Sequence, residues 1–277
     1  MKVLLKLMYI TNDEDVARIA DKYGVDRIFV DLEQIGKQER QGGMDTVQSK
    51  HTLDDVKKIK KCLNNSELLV RSNPIYENSK EEIDTIVKNG ADVVMLPYFK
   101  TCEEVQQFID YVGGRCRTCL LLETPEAAEM IDDILDIEGI DEIHIGLNDL
   151  HLGYKKKFMF ELLVDGTVER LCDKFKQKGM PYGFGGIAGL GQGMLPAESI
   201  IKEHYRLGSG MVILSRSFCN TSKLTDLEEI EAVFRKGTQD IREFEKQVDR
   251  ELMNENVAYF EENKKFVEKV VDQIVNN

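Results

Sequence analysis

Short β-branched or leucine-rich runs recur eight times along the chain, beginning near Val3, Asp26, Leu68, Asp92, Thr118, Asp141, Tyr182 and Met211, with amphipathic helical stretches between them. Alternation of this kind demands parallel pairing, because a parallel strand is reached only by a crossover long enough to hold a helix. Eight such units match a closed α/β barrel of the (β/α)8 type, a TIM barrel; an open doubly wound sheet usually needs fewer and ranks second. Helix starts support the division. Ser79 with Glu82, Thr101 with Glu104 and Thr225 with Glu228 have capping-box spacing, and Thr124-Pro125 places proline at a first helical position.

At 277 residues the chain can bury a substantial core, and the pattern assigns residues 1–220 to the barrel and 221–277 to a C-terminal helical extension. From Thr238 to Asn277 the chain reads as one long amphipathic helix, with Ile241, Phe244, Val248, Leu252, Phe260, Val267 and Val271 on one side. That face is expected to pack either on its own barrel or on a neighbouring subunit. A net charge of −13 argues against nucleic-acid and anionic-membrane partners. The N-terminal run is too short and too interrupted by lysine for a membrane or secretory segment, so a cytoplasmic protein is expected. Its six cysteines are then free thiols, and Cys116-Arg117-Thr118-Cys119 lacks the second pair that a zinc site of this spacing would need.

Two strand-like runs end in acidic residues: L-L-L-E-T-P-E-A-A at 120–128, with Glu123, and I-H-I-G-L-N-D-L at 143–150, with Asp149. One βα unit separates them, so both carboxylates are expected at the C-terminal edge of the barrel, where active sites of this architecture collect. An oxygen-only pair suits a hard cation, Mg²⁺ or Mn²⁺, that keeps positions open for water and substrate. Arg71 ends the third strand and offers a planar fork to a ketone or carboxylate oxygen. The two longest strand-to-helix connections, roughly 33–51 and 150–165, are expected to overhang the same mouth.

Five runs together resemble the HpcH/HpaI aldolase/citrate lyase β-subunit family of metal-dependent pyruvate aldolases. They are Val30-Asp31-Leu32-Glu33, Val70-Arg71-Ser72-Asn73, Gly90-Ala91-Asp92 through Leu96-Pro97, Leu122-Glu123-Thr124, and Ile145-Gly146-Leu147-Asn148-Asp149-Leu150, in that order over about 30–150. The resemblance implies an oligomeric (β/α)8 barrel that binds Mg²⁺ or Mn²⁺ and makes or breaks a carbon–carbon bond beside a pyruvate-like enolate. It implies Glu123 and Asp149 as metal ligands and Arg71, Gly146 and Asn148 as contacts to a small 2-oxo acid. Aldolase members typically carry an acidic residue followed by histidine after the second strand, whereas here Glu33 is followed by Gln34. The candidates for proton handling are therefore Glu33, His151 just past Asp149, and His51.

Gly183, Gly185, Gly186, Gly189, Gly191 and Gly193 crowd the segment after the seventh strand, followed by Ser215-Arg216-Ser217 after the eighth. Such loops can cradle a phosphate or form a tight turn or lid. The expected activity is that of an aldol or retro-aldol lyase on a pyruvate-derived 2-oxo acid. A lyase or hydrolase of an acyl-CoA or phosphorylated acid, marked by a basic groove at the glycine-rich loop, and a catalytically silent metabolite-binding barrel are the alternatives.

Overall fold

The computed structural model describes residues 4–36 and 50–276. All strand pairs are parallel, and the order of strands is that of a barrel. The strands are β1 (Lys6–Ile10), β2 (Arg27–Asp31), β3 (Glu67–Arg71), β4 (Val93–Leu96), β5 (Arg117–Leu122), β6 (Glu142–Ile145), β7 (Tyr182–Phe184), β8 (Gly186–Ile187) and β9 (Met211–Leu214). Nine segments replace the expected eight because the seventh strand breaks at Gly185. That residue has φ 52, in the left-handed region, and a Cβ there would lie 2.7 Å from Leu147 Cδ1. Tyr182–Phe184 pairs with β6 and Gly186–Ile187 with β9. The wall closes through Gly210 N donating to Tyr182 O at 2.8 Å and Ile213 N donating to Gly185 O at 3.4 Å.

Strand alternation divides the core in two. Ile28, Val30, Leu68, Val70, Leu120 and Leu122 face the helices, while Met8, Phe29, Leu69, Met95, Cys119 and Met211 fill the barrel interior. At the N-terminal end of the interior, Arg27 is fully buried and grips Glu142 with both terminal nitrogens, while its Nε donates to Glu67 at 2.8 Å. Burial by itself would lower the Arg27 pKa, but the carboxylates of Glu142 and Glu67 outweigh it and keep the guanidinium charged. The barrel therefore has a polar plug at its base. Cys119 is buried against that plug, and Cys116 lies outside β5, so the C-x-x-C spacing joins no pair; both are free thiols.

The outer helices are α1 (Glu14–Lys22), α2 (Leu53–Cys62), α3 (Ser79–Lys88), α4 (Cys102–Val112), α5 (Pro125–Glu129), α6 (Ile131–Leu135), α7 (Leu147–Gly153), α8 (Glu161–Val164), α9 (Thr167–Gln177) and α10 (Ala197–Arg206). Thr101 and Glu104 form the expected capping box, and Thr124 caps α5 with Pro125 in its first turn. Two other expected boxes do not form. Ser79 Oγ accepts from Tyr76 N while Glu82 reaches Asn73, and Asp226 rather than Thr225 caps the next helix because its carboxylate accepts from the amides of Glu228 and Glu229. A box between Thr52 and Asp55 starts α2 instead.

The C-terminal extension is two helices, α11 (Leu227–Met253) and α12 (Val257–Asn276), rather than one. The break falls at Asn254–Asn256, where Glu255 takes φ 51. Both helices pack on this chain's own barrel, α11 against α1 and α10, and α12 against α10 and α8. Polar anchors fix them: buried Glu245 accepts from Leu5 N at 2.7 Å, part-buried Arg242 bonds Asp26 at 2.7 Å, and buried Asn263 donates to Glu203 at 2.9 Å. Among the described residues no helix is long and apolar enough to cross a membrane.

The basal plug yields a stability prediction. Arg27→Met leaves Glu142 buried without its countercharge and should cost on the order of 3–5 kcal/mol in denaturant unfolding. Adding Glu142→Leu should recover most of that loss, since an apolar interior replaces an uncompensated charge; equal destabilisation in single and double variants would show that the pair holds the barrel by shape alone.

Candidate active site

The C-terminal ends of the strands open on a cavity of about 960 Å³. Arg71, Glu123, Gly146, Asn148 and Asp149 all line it, as do Asp31, His51, His144 and Arg216. Parallel register explains the first pairing. Asp31 and Arg71 are Cα partners at the ends of β2 and β3, and alternation turns both inward. Arg71 Nε donates to Asp31 Oδ1 at 2.8 Å and Nη2 to Oδ2 at 2.7 Å, a two-pronged clamp that fixes the guanidinium plane. Its Nη1 lies 3.3 Å from Glu33 Oε2. Burial would lower the Arg71 pKa, but Asp31, Glu33 and Glu123 together raise it and hold the side chain charged.

Glu123 follows β5 and is buried, and the amide of Tyr98 donates to its Oε1 at 3.0 Å. Tyr98 has φ 47, an unfavourable conformation for a residue with a Cβ, and the strain aims its N–H at the carboxylate. Gly146 serves the same carboxylate by omission: a Cβ at 146 would lie 2.8 Å from both Cβ and Oε2 of Glu123. Asp149 sits in the first turn of α7, buried at the cavity wall, with Asn148 exposed beside it.

The candidates for proton handling part company. Glu33 and His151 are both buried, and neither is among the residues that line the cavity. His151 Nδ1 lies 3.1 Å from Leu147 O, one turn back on its own helix, and Glu33 sits behind Arg71. His51 does line the cavity, with its Nδ1 accepting from Asp31 N at 2.9 Å. A neutral imidazole so engaged carries its proton on Nε2, which makes that nitrogen a donor. Of the two long connections, 150–165 reaches the cavity through Phe158, Met159 and Phe160, while most of 33–51 lies outside the described residues.

Sequence reasoning missed Asp31, the Tyr98 amide and the brace behind Glu33. In that brace Asn73 Oδ1 accepts from the amides of Gln34 and Ile35, and Asn73 in turn donates to Glu82. An acidic residue and an arginine ending adjacent parallel strands were the available signal for Asp31; a backbone donor such as Tyr98 leaves none. The glycine-rich loop turns its hydrogen bonds inward. Gly191 N donates to Glu198 Oε1 at 2.8 Å and Gln192 N to Gly189 O at 3.0 Å, so neither amide is presented to an anion.

Among the described residues no group of three or more His, Cys, Asp or Glu side chains is placed to hold a metal ion. Glu123 and Asp149, two carboxylates that line the same cavity, are the oxygen donors that suit a hard divalent cation, whose other positions water and substrate oxygens would fill. His144 lies on the floor with different chemistry. Its Nε2 faces Gly185 O at 3.1 Å, Nδ1 is buried without a hydrogen-bond partner, and burial pushes its pKa down to about 4.

The guanidinium and carboxylates stand at the C-terminal mouth, the end of a parallel barrel at which active sites of this fold collect. The HpcH/HpaI aldolase/citrate lyase family model matches residues 6–171, and the chain belongs to that family. Solved structures share its fold. An HpcH/HpaI aldolase from Desulfitobacterium hafniense is 16% identical, with 82% of this chain and 93% of that chain covered and a TM-score of 0.60. An HpcH/HpaI aldolase/citrate lyase family protein from Burkholderia cenocepacia is 15% identical, with 82% and 95% covered and a TM-score of 0.60. No curated protein matches the chain.

The buried imidazole gives a pH prediction. Folded, His144 stays neutral down to about pH 4, whereas an ordinary imidazole binds its proton near 6.5. Between these values the unfolded chain holds more protons, so stability falls as pH falls, by roughly 3 kcal/mol over the whole window. His144→Gln should flatten the stability–pH curve by about 2.4 kcal/mol between pH 7 and 4.5 in urea titrations at pH 7, 5.5 and 4.5; an unchanged slope would assign the acid sensitivity to other groups.

Proposed function

We propose that the protein is a carbon–carbon lyase that cleaves or forms a bond beside the oxo group of a pyruvate-derived 2-oxo acid. The supporting observation is the convergence of Arg71, Glu123 and Asp149 on the wall of one cavity. In the cleavage direction the C3–C4 bond breaks, its electron pair remains on C3 as the pyruvate enolate, the C4 hydroxyl passes its proton to a solvent water as it becomes an aldehyde, and water returns a proton to C3 to release pyruvate. Negative charge grows on the 2-oxo oxygen. Arg71 would donate to that oxygen through the N–H groups that Asp31 leaves to the cavity, and Asp31 keeps the fork from turning. Glu123 and Asp149 would hold Mg²⁺ or Mn²⁺, which supplies Lewis-acid stabilisation of the enolate when bound. Asn148 would contact the substrate carboxylate beside Gly146, and His51 would donate to a second substrate oxygen. Glu33 and His151 act in this reading behind the wall, Glu33 by orienting Arg71 and His151 by bracing α7.

The acyl-CoA or phosphorylated-acid reading needs a basic groove at the glycine-rich loop. Lys50 and Arg216 are the lining cations beyond Arg71, and the amides of Gly191 and Gln192 are taken by Glu198 and Gly189. A homo-oligomer and a cytoplasmic location belong to the same proposal, by likeness to the family.

Oxaloacetate decarboxylation is the direct test, because its C4 carboxylate leaves as carbon dioxide and no protein base is required. Turnover with Mg²⁺ or Mn²⁺ and its loss in excess EDTA are expected, and Arg71→Lys should reduce kcat on the order of a hundredfold with the fold intact. No turnover with either metal would favour the silent metabolite-binding barrel.

The carboxylate pair has its own test. Glu123→Gln and Asp149→Asn should each weaken divalent-metal affinity, while thermal stability without metal is unchanged or slightly raised, since neutralising one of two like charges relieves their repulsion. Melting curves with and without Mg²⁺ read this directly; equal destabilisation in both conditions would make the two residues structural.

A further inference from the structure

The turn at 97–101, after β4, is fastened to the turn after β5 at three successive points. The amide of Tyr98 donates to Glu123 Oε1 at 3.0 Å, Thr124 Oγ1 donates to Phe99 O at 2.7 Å, and Lys100 Nζ lies 3.2 Å from Glu126 Oε1. Parallel pairing sets this order, since Leu96 and Leu120 are Cα partners and the two segments leave the barrel side by side. Lys100 also stands over the Tyr98 ring, 5.3 Å from its centroid. The fasteners differ in strength. Lys100 and Glu126 are half exposed, so solvent weakens their pair. Thr124 is buried, and its hydroxyl donates to Phe99 O while accepting from Ala127 N at 3.2 Å. One hydroxyl thus ties the turn to the end of β5 and starts α5.

A buried fastener matters because the turn is strained beside it. Tyr98 takes φ 47, and a residue with a Cβ keeps such a conformation only where its surroundings enforce it. Relaxation of Tyr98 to negative φ would swing its N–H away from Glu123, and the buried carboxylate would lose a bond that helps fix its plane at the cavity wall. Tyr98, Phe99, Lys100 and Thr124 are not among the residues that line the cavity, whereas Glu123 is. Their effect on the site therefore passes through that carboxylate.

We infer that the turn at 97–101 is a positioning element for Glu123, and that the Thr124 hydroxyl, by holding the turn in place, sets the affinity of the carboxylate for what it binds without touching the bound group. That this group is a divalent cation rests on the lyase reading. Residues that orient a metal ligand from behind commonly change metal affinity by about ten- to a hundredfold.

Calorimetric titration of the whole chain with Mn²⁺ reads the effect. Thr124→Val keeps the side-chain shape and deletes the hydroxyl, so Mn²⁺ binding should weaken about tenfold, while Thr124→Ser should return it to within about twofold of wild type. Adding Thr124→Val to Glu123→Gln should cost no further affinity. A lower melting temperature for Thr124→Val with unchanged Mn²⁺ affinity would make the hydroxyl a helix cap alone and overturn the inference. So would a loss that persists undiminished in the Glu123→Gln background. A second measurement needs no metal. In protein isotopically labelled on tyrosine nitrogen, with the Tyr98 signal assigned by its loss in Tyr98→Phe, the Tyr98 amide proton resonance should move upfield in Thr124→Val and return in Thr124→Ser. If the wild type binds no Mn²⁺, the metal reading fails and that movement alone carries the positioning role; a Tyr98 resonance that stays in place in Thr124→Val overturns it.

Discussion

The period of two along a parallel strand decides where every charge in this molecule can go. On β2, Ile28 and Val30 point to the helices, so Arg27, Phe29 and Asp31 must point inward, one above the other. Arg27 is then committed to the base of the interior and Asp31 to its mouth. The same arithmetic on β3 raises Arg71 beside Asp31, and on β6 it sets Glu142 low, His144 midway and Gly146 at the top. Between the two polar layers lies a band of Met, Phe, Leu and Val that keeps water from joining them. The barrel thus keeps its stabilising charges and its chemical ones at opposite ends.

At the mouth, the arginine is the element on which the others depend. Arg71 is partly buried among three carboxylates that hold it charged, and each stands there for a separate reason: Asp31 by register, Glu33 by the chain that Asn73 braces, and Glu123 by the Tyr98 amide. An isolated guanidinium at that depth would be costly. Surrounded in this way it is positioned and desolvated at once, which is what a group meant to meet developing negative charge requires.

Much of this was legible in the sequence, because periodicity and strand-end residues are local signals. The strands, Glu123, Asp149 and Arg71 follow from runs of ten residues or fewer, and the chain's family membership accords with the ordered motifs that hold them. What was not legible depends on backbone geometry or on competition between neighbours. The break at Gly185 follows from packing against Leu147, and the end of α11 from Glu255 turning into the left-handed region. Asp226 displaces Thr225 as a cap because a carboxylate one residue later reaches two amides. His151 looked poised beside Asp149 in sequence, but one helical step rotates it by about 100 degrees for each residue, and two steps carry it away from the cavity.

The divided seventh strand gives the cylinder one stave that changes partner partway along. The lower half is laddered to β6 and the upper half to β9, with two single bonds, from Gly210 N to Tyr182 O and from Ile213 N to Gly185 O, closing the wall between. The stave also forms part of the cavity wall through Gly185 and Gly186. Whatever fills the cavity therefore meets the wall where one strand changes partner, so the same glycine that turns the backbone also shapes the space beside it.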